Sequence, residues 1–100
     1  MIAYREHFAE HLRLTILRFL GESPGYQMNT AILKDLASDA GLPVTRDMLE
    51  TQAAWLAEQG FVTCEQLPMQ VTVVTLTQRG SDVADGRAIV PGVRRPSPRG

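Results

Sequence analysis

Between Tyr4 and Leu20 an apolar side chain recurs at every fourth position, namely Tyr4, Phe8, Leu12, Ile16 and Leu20. No other feature constrains the fold of this chain as much. Residues four apart line up along one side of an α-helix, so the segment reads as a helix with a continuous apolar stripe. Leu14, Leu17 and Phe19 widen the stripe in its second half until it nearly encircles the helix. A helix of that kind must be covered on several sides by other elements. Gly21 is placed to end it, and Ser23-Pro24-Gly25 reads as the turn that follows, because proline fixes its own backbone angle and glycine tolerates a left-handed one.

The rest of the chain supplies the cover. Asn29 can cap a second helix carrying Ile32, Leu33, Leu36, Ala37 and Ala40, which Gly41 ends. Thr45 can cap a third, with Leu49, Ala53 and Leu56 on its inner side, Met48 and Trp55 beside them and Gly60 as terminator. Phe61 to Glu65 and Val71 to Leu76 are rich in β-branched and aromatic residues and read as two strands joined by the short segment Gln66 to Gln70. Thr77 caps a last short helix that packs Val83 and Ala84 and stops at Gly86. The order α-α-α-β-β-α defines a mainly α domain with a small β-hairpin, the winged helix-turn-helix arrangement, in which the third helix is presented on the surface and the hairpin flanks it as a wing. Residues 1–87 form this domain. Residues 88–100, with three prolines and three arginines, are expected to be a flexible basic tail.

Several function classes are excluded at this level. A single cysteine, Cys64, rules out an internal disulfide framework and supplies too few thiols for a structural zinc site. No basic segment leads into an apolar run of signal-peptide type, and the longest apolar cluster, Leu12 to Leu20, is interrupted by Arg13, Thr15 and Arg18. A cytoplasmic place in a bacterial host cell, with no membrane partner, is the expectation.

The most tempting catalytic string is His7-Phe-Ala-Glu10-His11, which matches the H-x-x-E-H pattern of inverted zinc peptidases. Two imidazoles four apart share a helix face and can reach one ion, but a third ligand and a substrate cleft have no source on a terminal helix. Exposed histidines between apolar positions are the simpler reading. Cys64 sits in a strand with no histidine near it in sequence, so it reads as a buried or half-buried spacer. No phosphate-binding glycine loop occurs. The expectation is therefore a protein without catalytic residues, metal or cofactor.

Two resemblances bear on function. Trp55-Leu-Ala-Glu-Gln-Gly-Phe-Val-Thr, the strand Val71 to Leu76 and Leu76-Thr-Gln-Arg-Gly80 resemble the recognition-helix end, wing and closing helix of bacterial winged-helix regulators. Leu14-Thr-Ile-Leu-Arg-Phe-Leu, Pro24-Gly-Tyr, Thr45-Arg-Asp, Trp55-Leu-Ala-Glu-Gln-Gly and Gly86-Arg-Ala-Ile-Val-Pro-Gly-Val-Arg-Arg-Pro are similar to a family of small proteins of Mu-like transposable phages and prophages. That second resemblance spans nearly the whole chain. It implies a phage origin and genes near those for packaging and the head, and it carries over no functional residue.

The expected partners are double-stranded DNA or, in the alternative, a phage or host protein. For DNA, Arg46 and Thr51 on the third helix would face base edges and Thr45 would bond a phosphate at its N-terminus. Backbone anchoring would fall to Arg79, Arg87, Arg94, Arg95 and Arg99. Charge is divided unevenly: residues 1–86 carry six basic and eleven acidic side chains, and residues 87–100 carry four arginines and no acid. Asp47, Glu50 and Glu58 on the third helix oppose phosphate and fit an adaptor or inhibitor that docks on protein. The first helix projects beyond its cover at Tyr4, Phe8 and Leu12, which fits a homodimer sealed along that edge.

Overall fold

A computed structural model describes residues 4–96. Its elements are α1 (Tyr4–Glu22), β1 (Gln27–Asn29), α2 (Thr30–Asp39), α3 (Arg46–Glu58), β2 (Val62–Leu67), β3 (Val71–Leu76) and α4 (Gln78–Ala84). The four helices lie where the apolar spacings place them, and the caps act as expected. Asn29 Oδ1 accepts from Ile32 N at 2.8 Å, Thr45 Oγ1 from Met48 N at 3.1 Å and Thr77 Oγ1 from Gly80 N at 3.0 Å. Gly41 and Gly60, at φ 91° and 84°, end α2 and α3. Beyond each, the chain returns a backbone bond to the last turn, Leu42 N to Ala37 O and Phe61 N to Leu56 O. One end differs: α1 runs through Gly21 to Glu22, because Gly21 keeps helical angles.

The β component is larger than a hairpin. β1 pairs antiparallel with β3, Met28 opposite Val74, and gives a three-stranded sheet in the order β1-β3-β2. The domain is thus a small α/β unit of four helices and one antiparallel sheet. Three residues are too short to show alternation, and the last of them, Asn29, is also the cap of α2. The sheet therefore has a strand that sequence periodicity does not mark.

α1 is the centre of the core. Leu12, Ile16, Leu17 and Leu20 are fully buried against Leu33 and Ala37 of α2, Leu49, Ala53 and Leu56 of α3, and Phe61, Val62, Val74 and Val83. Leu12 corrects the dimer reading: it is 1% exposed and belongs to the core of a single chain. A four-residue step advances about 40° round a helix, so Tyr4 and Leu12 differ by roughly 80° in direction. Tyr4 is 80% exposed and Phe8 half-buried, with ring centroids 6.2 Å apart.

The expected flexible tail is also corrected, as far as residue 96. Ala88 and Val90 pack on the core, Val93 is buried, and Arg94 N donates to the Glu10 carbonyl at 3.1 Å. The segment has no helix or strand, yet it runs as a strap across α1 because its apolar side chains find a place between α1 and α3. Arg13 secures it. This side chain, buried on α1, lies over the Trp55 ring at 4.0 Å, donates through Nη1 to Gly92 O and through Nε to Gln52 Oε1, both at 2.7 Å.

Candidate nucleic-acid interface

The third helix and the β2–β3 hairpin form one continuous face. Its organising residue is Arg46, in the first turn of α3. Arg46 Nε meets Glu50 Oε2 at 3.1 Å, and Nη2 donates to the carbonyl of Gln70 at the end of the hairpin loop at 2.7 Å. The same Glu50 oxygen accepts from Thr30 Oγ1 at 3.0 Å, and Thr30 is fully buried at the start of α2. A chain of bonds thus runs from the core through α3 to the hairpin tip, and it fixes the distance between them. With Nε and Nη2 so engaged, Arg46 positions the tip, and a base edge would have to be met by the remaining guanidinium N–H groups.

The other expected contact residues divide into separate groups. Thr45 and Thr51 are exposed on α3, although the Thr45 hydroxyl already serves the cap. Arg79 lies on α4 with its guanidinium 5.0 Å from the Phe61 ring. Arg87 is paired with Asp82 at 3.2 Å and Asp85 at 2.9 Å, so its charge is neutralised locally. Arg94 and Arg95 are exposed on the strap, near Glu10 of α1, and Arg99 lies outside the described residues. The structure therefore does not bring the seven described residues of this set to one surface. Asp47 and Glu58 are exposed on α3, and Glu65 on β2, so the face keeps a negative character.

A groove borders the face. The first two turns of α1 and the first half of α3 enclose about 680 Å³ between Tyr4, Phe8, Pro43, Met48 and Thr51. Met48 is 43% exposed at its wall. Cys64, read from sequence as a buried or half-buried spacer, is exposed as a residue, while its Sγ is turned toward the Ala53 carbonyl at 3.8 Å. That partial burial pushes the thiol pKa up.

Arg13, which interrupts the apolar run of α1, and Gly92, in the expected tail, organise the molecule and were not singled out as such by sequence reasoning; Trp55, beside the inner stripe of α3, packs against the core. The only sequence signal was the arginine itself, one position from the buried Leu12. Among the described residues no group of three or more His, Cys, Asp or Glu is arranged to hold a metal ion, and His7 and His11 are both exposed. No helix there is long and apolar enough to cross a membrane.

Comparison with solved structures gives H. salinarum RosR at a TM-score of 0.64, with 24% identity over 74% of this chain and 66% of that one. A complex structure, hsRosR-S1, aligns at 0.59 with 25% identity over 70% of this chain and 61% of the other. This chain spans less than two thirds of those proteins, and the likeness is one of fold. No family model matches. Among curated proteins, gp26 of Escherichia phage Mu, an uncharacterized protein, is 50% identical over 90 residues, covering 90% of this chain and 92% of gp26. A Haemophilus influenzae protein is 36% identical over 78 residues, 78% of this chain and 76% of its own length. With half of its residues shared over nine-tenths of its length, the chain belongs to the gp26 family of Mu-like phages.

Proposed function

We propose that this domain is a winged-helix module that binds double-stranded DNA without catalysing a reaction, with α3 laid in the major groove and the β2–β3 hairpin acting as the wing. The observation that carries this reading is the tie of Arg46 to Gln70, which joins α3 and the hairpin tip on one face. A winged helix that reads DNA needs that geometry, since helix and wing must meet adjacent parts of one duplex. The arrangement shared with RosR supports the same reading. Thr51 and the α3 N-terminus supply the contacts to base edge and phosphate. Exposed Arg94 and Arg95, with Arg99 beyond them, supply an arm that neutralises phosphate. The module acts in the cytoplasm of the host, in regulation or packaging, and uses no metal or cofactor.

Two copies bind together. Tyr4 and Phe8 leave an apolar edge at the free end of α1, and a second copy covers it. Selection of bound duplexes from a randomised pool by the full chain at low salt tests the reading. Recovery of a common site with two half-sites one helical turn apart supports it, and recovery of no duplex removes it.

One observation favours a second reading, in which α3 docks on protein. Asp47 and Glu58 are exposed carboxylates on the helix that would enter the groove, and they repel phosphate. An adaptor or inhibitor for a phage or host protein would use this acidic face together with the Tyr4–Met48 groove.

A further inference from the structure

The loop that joins β2 to β3 is built against local preference. Met69 has φ 66° and ψ 29°, and Gln70 follows at φ 61°. Both angles lie in the left-handed region that favours glycine and asparagine. A three-residue hairpin loop commonly includes one such position, and glycine usually takes it. Here two successive residues with β-carbons occupy it. Packing gives nothing back, because Met69 is 93% exposed. Leu67 and Pro68 are exposed beside it, so the tip presents three consecutive apolar side chains to solvent. The Gln70 carbonyl is held by Arg46, but the strain at Met69 has no packing return and points to function.

Two further facts say what the tip meets. Its distance from α3 is fixed by the Arg46, Glu50 and Thr30 bonds, which a merely adhesive patch would not need. It is also neutral: no charged residue occurs from Gln66 to Gln78, and the amides of Gln66 and Gln70 flank the apolar triplet. The minor groove of A·T-rich DNA offers base-edge acceptors to amide N–H groups, and apolar side chains inserted there part the stacked bases.

We infer that Leu67-Pro68-Met69 is a wedge that enters the minor groove next to the segment held by α3 and partly unstacks one base step, with Gln66 and Gln70 donating to acceptors on either side. This rests on the DNA reading above. A pyrimidine–purine step such as TA, which unstacks most readily, is the favoured place.

The test uses the full chain and a duplex carrying 2-aminopurine at a TA step inside an A·T tract. Wild-type protein and Met69→Leu raise the 2-aminopurine fluorescence on binding. Met69→Asn, whose side chain the left-handed angle tolerates, keeps the thermal midpoint but loses the fluorescence change and binds about fivefold more weakly or worse. Equal affinity and equal fluorescence for Met69→Asn and wild type overturn the wedge. So does wild-type binding with no fluorescence change, which leaves the DNA reading standing on α3 alone. Absence of binding to any duplex removes both.

Discussion

The guanidinium of Arg13 lies 4.0 Å over the ring of Trp55, and through this contact α1, α3 and the C-terminal strap meet at one point. Arg13 also donates to Gln52 on α3 and to Gly92 on the strap. Removing it leaves a partly buried amide oxygen and carbonyl without their donor and the Trp55 face uncovered. We expect Arg13→Ala to cost about 2 to 4 kcal/mol. Arg13→Lys should recover little, since an ammonium cannot stack and span both acceptors. Denaturant unfolding measures the loss, and amide exchange at Val93 and Arg94 should accelerate more than in the core helices. Unchanged exchange there would show that the strap is held without Arg13.

Glycines at two close approaches should behave differently. At Gly80 a β-carbon would collide with the Phe61 carbonyl oxygen and stand 2.8 Å from Leu76 Cδ1, so α4 could not seat. Gly80→Ala should cost about 3 kcal/mol or more. At Gly92, φ is 91° and a β-carbon would lie 2.8 Å from the Trp55 ring. Gly92→Ala should lift the strap and leave the core folded. Thermal unfolding with limited proteolysis near residues 88–96 separates the two.

Self-association should follow Phe8 and not Leu12. Phe8 is partly open at the free end of α1, whereas Leu12 is 1% exposed. Phe8→Glu should give a folded monomer by sedimentation, and Leu12→Glu should unfold the chain because a carboxylate cannot be buried there unpaired. A wild-type monomer at high concentration would remove the dimer.

Cys64 gives the fold an alkaline sensitivity. Burial raises its folded pKa above the unfolded value. Its contribution is therefore fully present below the unfolded thiol pKa and is lost as pH rises through the folded one. Stability should fall on the alkaline side in wild type and fall less in Cys64→Ala, with slow alkylation at neutral pH as a second sign. An identical alkaline slope in both would place the titrating group elsewhere.

Much of this architecture was legible in the sequence because it depends on local rules. The four-residue line of α1, the caps Asn29, Thr45 and Thr77, and the terminators Gly41 and Gly60 each declare themselves within a few residues. What was not legible depends on distant partners. β1 is a strand only because β3 lies beside it. The strap is ordered by Arg13, which is 79 residues from Gly92. Among the candidate site residues, chemical type was visible and long-range pairing was not: Asp82 and Asp85 stand close to Arg87 in sequence, but nothing near Arg46 reveals that the Gln70 carbonyl, 24 residues away, holds its guanidinium.

Entry of α3 into DNA is tested most directly through Asp47. This carboxylate in the first turn of α3 steadies the helix N-terminus but faces where phosphate would come. Fluorescence anisotropy of a labelled duplex, titrated with wild-type protein and Asp47→Asn across a salt series, measures the effect. Binding should weaken with salt at a log–log slope of about −0.9 per phosphate neutralised. Asp47→Asn should bind roughly two- to fivefold more tightly at low salt, although the helix itself is slightly less stable. No binding at low salt, or equal affinity for wild type and Asp47→Asn, would contradict it.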